Sequence, residues 1–366
     1  MSPSSSSSST PSRPSRRALL AGAAGLVLAG TAGALGYELH NRGGTGSTSL
    51  GVGGDAASAK GSGPVTESGG YRFQRQSSPG RTVALDGSGN QLAVFTDGAR
   101  TVVLRGASRT FSEPRTTSAT VTTEAWVRLL PSEWKQGEEK SAWFGQWFPK
   151  TLNDTSPDLF ATAFEYSSAG APDKFNAQGV RFAGTAHFGP RNPKVNGPLD
   201  FAYHAEQSDF YDYLGTSWTF PDGTQVQPEK ARFGDVDCSG FQRLLWGYRM
   251  GVPMHNTDTA GVGLPRRAFA IAAYGPGVLL IPNTGTQATD LSVLQPGDLV
   301  FFGILKGQPD VIDHCGFYMG PDSNGRPRFY SSRSAANGPT MGDMAGHALL
   351  DGTDFYARGF RAARRI

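Results

Sequence analysis

Two cysteines in 366 residues, Cys238 and Cys315, set the first limit on what this chain can fold into. So few thiols can neither staple a disulfide-rich scaffold nor complete a four-cysteine zinc site, so an ordinary apolar core must hold the fold. Cys238 stands in the run Val236-Asp-Cys-Ser-Gly-Phe241. After it, Phe241, Leu244, Leu245 and Tyr248 recur at helical spacing, and Gly251 offers a C-cap. A thiol at a helix start faces unpaired backbone N–H groups and the positive end of the helix dipole, and both favour the nucleophilic thiolate. The competing reading is a small apolar residue packed beneath a helix.

Composition fits a core of that kind. Hydrophobic residues make up 38% and aromatic residues 11%, while 49 glycines and only 18% charged residues point to a strand- and loop-rich fold. The net charge of +3 is matched by three arginines of the leader, Arg13, Arg16 and Arg17, and the remainder is neutral. A nucleic-acid partner therefore has no electrostatic support. His40 falls in a tether, and His187, His204, His255 and His347 lack the spacing of a zinc site, so no metal or other cofactor is expected.

Five segments follow in order. Residues 1–37 combine a Ser/Pro-rich leader, the pair Arg16-Arg17, an Ala/Gly-rich apolar stretch and the small-residue site Ala32-Gly33-Ala34. This is the pattern of an export signal, and the paired arginines resemble the twin-arginine type. Because Ala18 to Tyr37 is long enough to cross a bilayer, an uncleaved anchor with membrane contact is the second reading. Either way the protein is expected outside the cytoplasm, secreted or attached to the cell wall. Residues 38–70 read as a flexible Gly/Ser tether. Residues 71–150 form a β-rich module. In it, 91–96 and 100–104 flank the turn Asp97-Gly98, and 116–123 and 126–130 give further strands. The run from Trp126 to Pro131 resembles segments of Src-homology-type barrels. Trp134, Trp143 and Trp147 suit either a ligand surface or core packing. Residues 151–204 are a connecting helix, started by Ser156-Pro157-Asp158, and loops. Residues 205–366 hold the chemistry.

Three elements of that last segment fit one design. Asp237-Cys238-Ser239-Gly240-Phe241 opens a helix. Leu294 to Phe302 turns at Pro296-Gly297 into a buried strand. Asp313-His314-Cys315-Gly316-Phe317-Tyr318-Met319-Gly320 is a strand whose alternation sends His314 and Cys315 to opposite faces. If His314 faces Cys238, Cys315 must lie on the other side as a buried thiol, and a disulfide between the two is disfavoured.

Together these elements resemble the NlpC-type cysteine peptidases, papain-like enzymes of bacterial cell walls, over residues 205–366. The resemblance implies an α+β fold with a nucleophile helix packed on an antiparallel sheet. It further implies cleavage of peptidoglycan stem peptides, between γ-D-glutamate and diaminopimelate, through a thioester. Carried onto this sequence, Cys238 is the nucleophile, His314 its base, and Trp218 the aromatic residue lining the site. Asp237 and Ser239 contact the free amino end of a stem peptide.

The chain departs from the pattern at Ser331, which stands where relatives carry a histidine, asparagine or glutamine that orients the base. Ser331, a backbone carbonyl, Asn337 or Asp343 could serve instead. Arg333 suits a stem-peptide carboxylate or a surface ion pair, and Arg266 and Arg267 suit substrate contacts or a solvated turn. Arg358, Arg361, Arg364 and Arg365 either meet acidic wall polymers or solvate a last strand. An amidase or acyltransferase would use the same Cys-His pair, and a wall-binding or partner-activating module of weak catalytic power is the alternative. Nothing in the sequence fixes an oligomeric state.

Overall fold

Alternating apolar residues build two six-stranded antiparallel sheets in the computed structural model, which describes residues 65–167, 172–193, 204–305 and 307–366. The export signal, its cleavage site and nearly all of the tether lie outside the described residues. The first sheet is a meander of β1 (Val65–Ser68), β2 (Tyr71–Gln76), β3 (Arg81–Leu85), β4 (Gln91–Thr96), β5 (Thr101–Ser112) and β6 (Thr120–Leu129), each strand paired with its sequence neighbours. Among the described residues it is an open sheet where the sequence suggested a barrel, for β6 pairs only with β5 and β1 only with β2. It also begins at Val65, inside the segment read as tether.

Asp97-Gly98 makes the β4–β5 turn, with Gly98 at φ +78°. The two strands expected at 116–123 and 126–130 are one strand, β6, because Glu124 and Ala125 supply no turn chemistry. The bend is instead taken by the partner, whose pairing slips between Arg105 and Arg109. Gly106 sits at that slip, and a Cβ there would fall 2.3 Å from the Trp126 indole nitrogen. Such a bulge bends a long hairpin without breaking it.

Helix α1 (Ala142–Leu152) covers this sheet, with Phe144 and Phe148 packed against Phe73 and Phe95. Trp134 is fully buried and stacks on Phe95 at 4.3 Å, which settles it as core, while Trp143 and Trp147 are partly buried beside it. Helix α2 (Leu159–Phe164) is capped by Asp158, not by Ser156 as the sequence suggested. Asp158 accepts from Ala161 N and Val127 N and pairs with Arg109, so its carboxylate is fixed where the helix must begin.

Short pieces follow: β7 (Lys174–Phe175), β8 (Arg181–Ala183), α3 (Phe210–Leu214), β9 (Trp218–Thr219) and β10 (Gln225–Val226). Helix α4 (Cys238–Gln242) then widens into a π-helical turn over Arg243–Arg249, and α5 (Ala268–Tyr274) precedes the second sheet. That sheet contains β11 (Val278–Ile281), β12 (Leu299–Phe302), β13 (His314–Pro321), β14 (Pro327–Arg333), β15 (Gly338–Thr340) and β16 (Phe360–Arg365), in the order β11-β16-β12-β13-β14-β15. Helix α6 (Phe355–Gly359) leads into β16.

The second sheet is buried on both faces. Phe301, Cys315, Phe317 and Tyr330 face α4, whereas Phe302, Tyr318, Phe329 and Phe360 form a second cluster with Tyr356 of α6. The described residues belong to one compact unit, and its core crosses between the two sheets. Phe111, Val121 and Val127 of the first sheet share the cluster that contains Cys238, and Phe160 of α2 stacks on Phe317. Polar ties reinforce this join. Arg365 forms a two-pronged pair with Asp298 at 2.7 Å and donates to Thr96, and the Ile366 carbonyl accepts from Arg100 N and Thr101 N.

Arg361, Arg364 and Arg365 are therefore buried, and neither solvate the last strand nor reach toward wall polymers; Arg358 is exposed. Arg364 instead donates to the carbonyls of Ala272 and Ala273, satisfying the C-terminal end of α5.

Gly297 turns the chain into β12 at φ +94°, and a Cβ there would lie 2.6 Å from Val127 Cγ1. Gly297→Ala is expected to destabilise by about 1–3 kcal/mol, from backbone strain and overpacking together. A lower urea midpoint at unchanged m value would report it.

Candidate active site

Asp237 starts α4. Its Oδ1 accepts from Gly240 N at 2.7 Å, and its own N–H donates to the Ser208 carbonyl at 2.8 Å. Gly240 is required here, because a Cβ would fall 2.3 Å from that same Ser208 oxygen. The Asp-Cys-Ser-Gly run is thus a cap, a thiol and a close crossing of two chain segments. The helix lies on the second sheet, with Phe241 5.8 Å from Tyr330 of β14 and Ser332 Oγ donating to the Val236 carbonyl at 2.8 Å.

Cys238 is 7% exposed, and its Sγ donates to the Asp313 carbonyl at 3.9 Å. That carbonyl belongs to the residue before His314. The thiol is pushed well above its ordinary range, chiefly by interaction with the Cys315 thiol, then by burial and by the charges of Asp237 and Glu206. Helix-start electrostatics led to the opposite expectation, a stabilised thiolate. The reason for the reversal is local: the Cys315 thiol stands against the sulfur and burial removes solvent from it, while the cap carboxylate, which takes the Gly240 N–H, adds a negative charge. Strand alternation holds, but with the faces exchanged relative to the sequence reading: Cys315, not His314, shares the apolar cluster of Cys238, and the two cysteines stand on one face as free thiols. His314 begins β13 on the opposite face.

His314 is 6% exposed, with its ring 5.7 Å from that of Phe302 and 5.4 Å from that of Tyr356. Its Nε2 is joined by a 3.2 Å hydrogen bond to Ser331 Oγ, and Ser331 is fully buried in β14. Among the described residues this is the ring's hydrogen bond. Burial, helped by the positive charge of Arg333, pushes the imidazole down to about 3, against the opposing pull of Asp237. Of the four candidates for this third place, Ser331 is the one that reaches the ring. Asn337 is engaged with Phe188 N, and Asp343 with Arg328 and Thr117.

Asp237 and Ser239 are held by one guanidinium. Arg266 donates to Asp237 Oδ2 at 2.7 Å and to Ser239 Oγ at 2.9 Å, and lies 3.4 Å from Asp209. Arg243, fully buried, closes the network by pairing with Asp209 at 3.0 Å. Burial alone would raise the Asp237 carboxyl, but Arg266 outweighs it and holds the group below the usual carboxylate range. These two residues, read from sequence as ligands of an amino end, fix the start of α4. Arg266 is no solvated turn residue, whereas Arg267 sits on the exposed pair with Asp258.

Trp218 is half-buried, edge-on to Phe210 at 5.0 Å and Tyr248 at 5.8 Å. The aromatic residue set among the charged groups is Tyr211, whose hydroxyl is pushed up to about 12 by burial and by Asp209 and Asp212. Arg333 is buried, its guanidinium donating to the carbonyls of Gly342 and Gly346, so it forms no surface ion pair. Among the described residues no group of three or more His, Cys, Asp or Glu is arranged to hold a metal ion, and no helix is long and apolar enough to cross a membrane.

No protein-family model matches the chain, and no curated protein matches it.

Proposed function

We propose that the chain is an exported cysteine hydrolase that cleaves an amide bond of peptidoglycan stem peptides, with Cys238 as nucleophile and His314 as base. In this reading residues 205–366 are a papain-like domain of the NlpC type. The observation that carries it is the hydrogen bond between His314 and Ser331. That bond engages one ring nitrogen and leaves the other to take a proton, and the Cys238 sulfur rests on the carbonyl preceding His314, where β13 begins.

The resting pair is thiol and neutral imidazole, since each is shifted away from its charged form. The thiol proton therefore moves to His314 as the sulfur attacks the substrate carbonyl, not beforehand. As the first residue of its helix, Cys238 has a backbone N–H without an intrahelical partner, suited to the developing oxyanion. The imidazolium then protonates the leaving amine, and a thioester remains. Water, deprotonated by His314, releases the acid and restores the thiol.

Incubating the full chain with muropeptides and weighing the products tests this. Masses for cleavage between γ-D-glutamate and diaminopimelate are expected, with a transient acyl group on Cys238; muropeptides left intact would remove the reading. A wall-binding module is favoured by one observation, the nearly enclosed and neutral Cys238 thiol. It expects muropeptides to be retained uncut.

A further inference from the structure

Arg333 lies two residues along β14 from Ser331, so both side chains leave the strand on the face that carries His314. It is 1% exposed, and among the described residues it forms no ion pair. Its charge meets two main-chain carbonyls, those of Gly342 and Gly346, and the Tyr356 ring face 5.1 Å away. That ring in turn lies 5.4 Å from the imidazole. The Arg333 Nε is buried without a partner. A cation enclosed in this way is costly, and a neutral residue could brace the same loop at lower cost.

We propose that Arg333 is a positioning residue of the imidazole, a buried positive charge that keeps His314 in its neutral, proton-accepting form and sets how far into acid the site works. The inference rests on the hydrolase reading for its functional meaning, but not for its test. The groups around His314 are few. On the strand side stand Ser331 and Phe302, and from α6 comes Tyr356, which burial keeps neutral. From the start of α4 comes Asp237, whose charge favours the imidazolium but is matched by Arg266. Asp313, next in the chain, is pushed up to about 6 by burial. The buried carboxyl that Arg333 does feel, Glu113, is raised by burial and is itself engaged by the Thr340 hydroxyl and the Met341 N–H. Arg333 therefore stands as the main charged influence on the ring.

The test is a titration of His314 in the full protein, labelled with nitrogen-15 histidine and followed by NMR without substrate. In the wild type the ring is expected to stay neutral well into acid. In Arg333→Gln, which keeps a donor for the Gly342 carbonyl, the titration should move up by about one pH unit or more. Arg333→Met, which keeps the length, should do the same, so either variant suffices if the other fails to fold. Arg333→Lys should restore the wild-type titration. A ring that titrates alike in wild type and the charge-removing variants, with only the melting temperature lowered, would reduce Arg333 to a brace and overturn the proposal. Where turnover is measurable, the acid limb of kcat/KM should move with the titration in the glutamine variant and return in the lysine variant. Absence of turnover bears on the hydrolase reading alone.

Discussion

Replacing Cys238 or His314 with alanine is expected to lower kcat/KM for stem-peptide cleavage by about 10⁴-fold or more, and the double variant should be little worse than either single one. In the proposed mechanism nucleophile and base act in one step, because the resting thiol and imidazole are both neutral and the proton would cross as the bond forms. Steady-state rates on a defined muropeptide measure the effect. Additive losses would show that the two residues do not share a step. The histidine variant carries a second signature in stability. The folded ring titrates at about 3 and a free histidine near 6.5, so the unfolded chain takes up a proton over that range and the folded one does not. His314 therefore contributes stability that is full above about pH 6.5 and is lost as the pH falls toward 3. His314→Ala should flatten that part of the acid unfolding curve.

Removing Arg266 is the largest expected blow to stability. Arg266→Ala leaves Asp237 and Asp209 in place with one fewer counter-charge, and Asp237 then has only backbone N–H groups and the Ser239 hydroxyl. Stranding a buried charge in this way costs about 3–5 kcal/mol. Urea unfolding of the full chain should show a markedly lower midpoint. The Asp237 carboxyl should also titrate upward, because burial would no longer be outweighed. Since that carboxyl caps α4 one residue before the sulfur, Arg266→Lys should restore charge but not the two-pronged grip on Asp237 and Ser239. It is expected to recover part of the stability and less of the activity. A midpoint unchanged in Arg266→Ala would mean that the network is decorative.

The parts of this molecule written in local sequence were legible in it. Asp97-Gly98 marks its hairpin, Gly251 at φ +81° closes the turn after Arg249, and Phe241, Leu244 and Leu245 are buried as their spacing required. The opposite faces of His314 and Cys315 followed from strand period alone. What escaped depends on partners far apart in the chain. Arg266 could be weighed as a surface turn residue because Asp209 and Asp237, which hold it, lie in other segments. Arg364 and Arg365 looked solvated because runs of charge usually are, whereas here a helix end and Asp298 receive them. The Cys238 thiol was misjudged because a helix start was considered without what packs on it; the Cys315 thiol, far away in sequence, and burial oppose the thiolate, and the cap carboxylate adds to them. The place of Ser331 was legible from its strand position, but that its hydroxyl reaches the imidazole, and Asn337 and Asp343 do not, needed coordinates.

The placement of β16 reaches beyond packing. It is the latest strand in the sequence, yet it sits between β11 and β12, paired on both edges. A ribosome emitting this chain has delivered the thiol, the imidazole and the serine before it makes the strand that seals their sheet. Until residues 360–365 pair with β11 and β12, the sheet that bears His314 and Ser331 has an open seam, so its final geometry waits on the last part of the chain to be made.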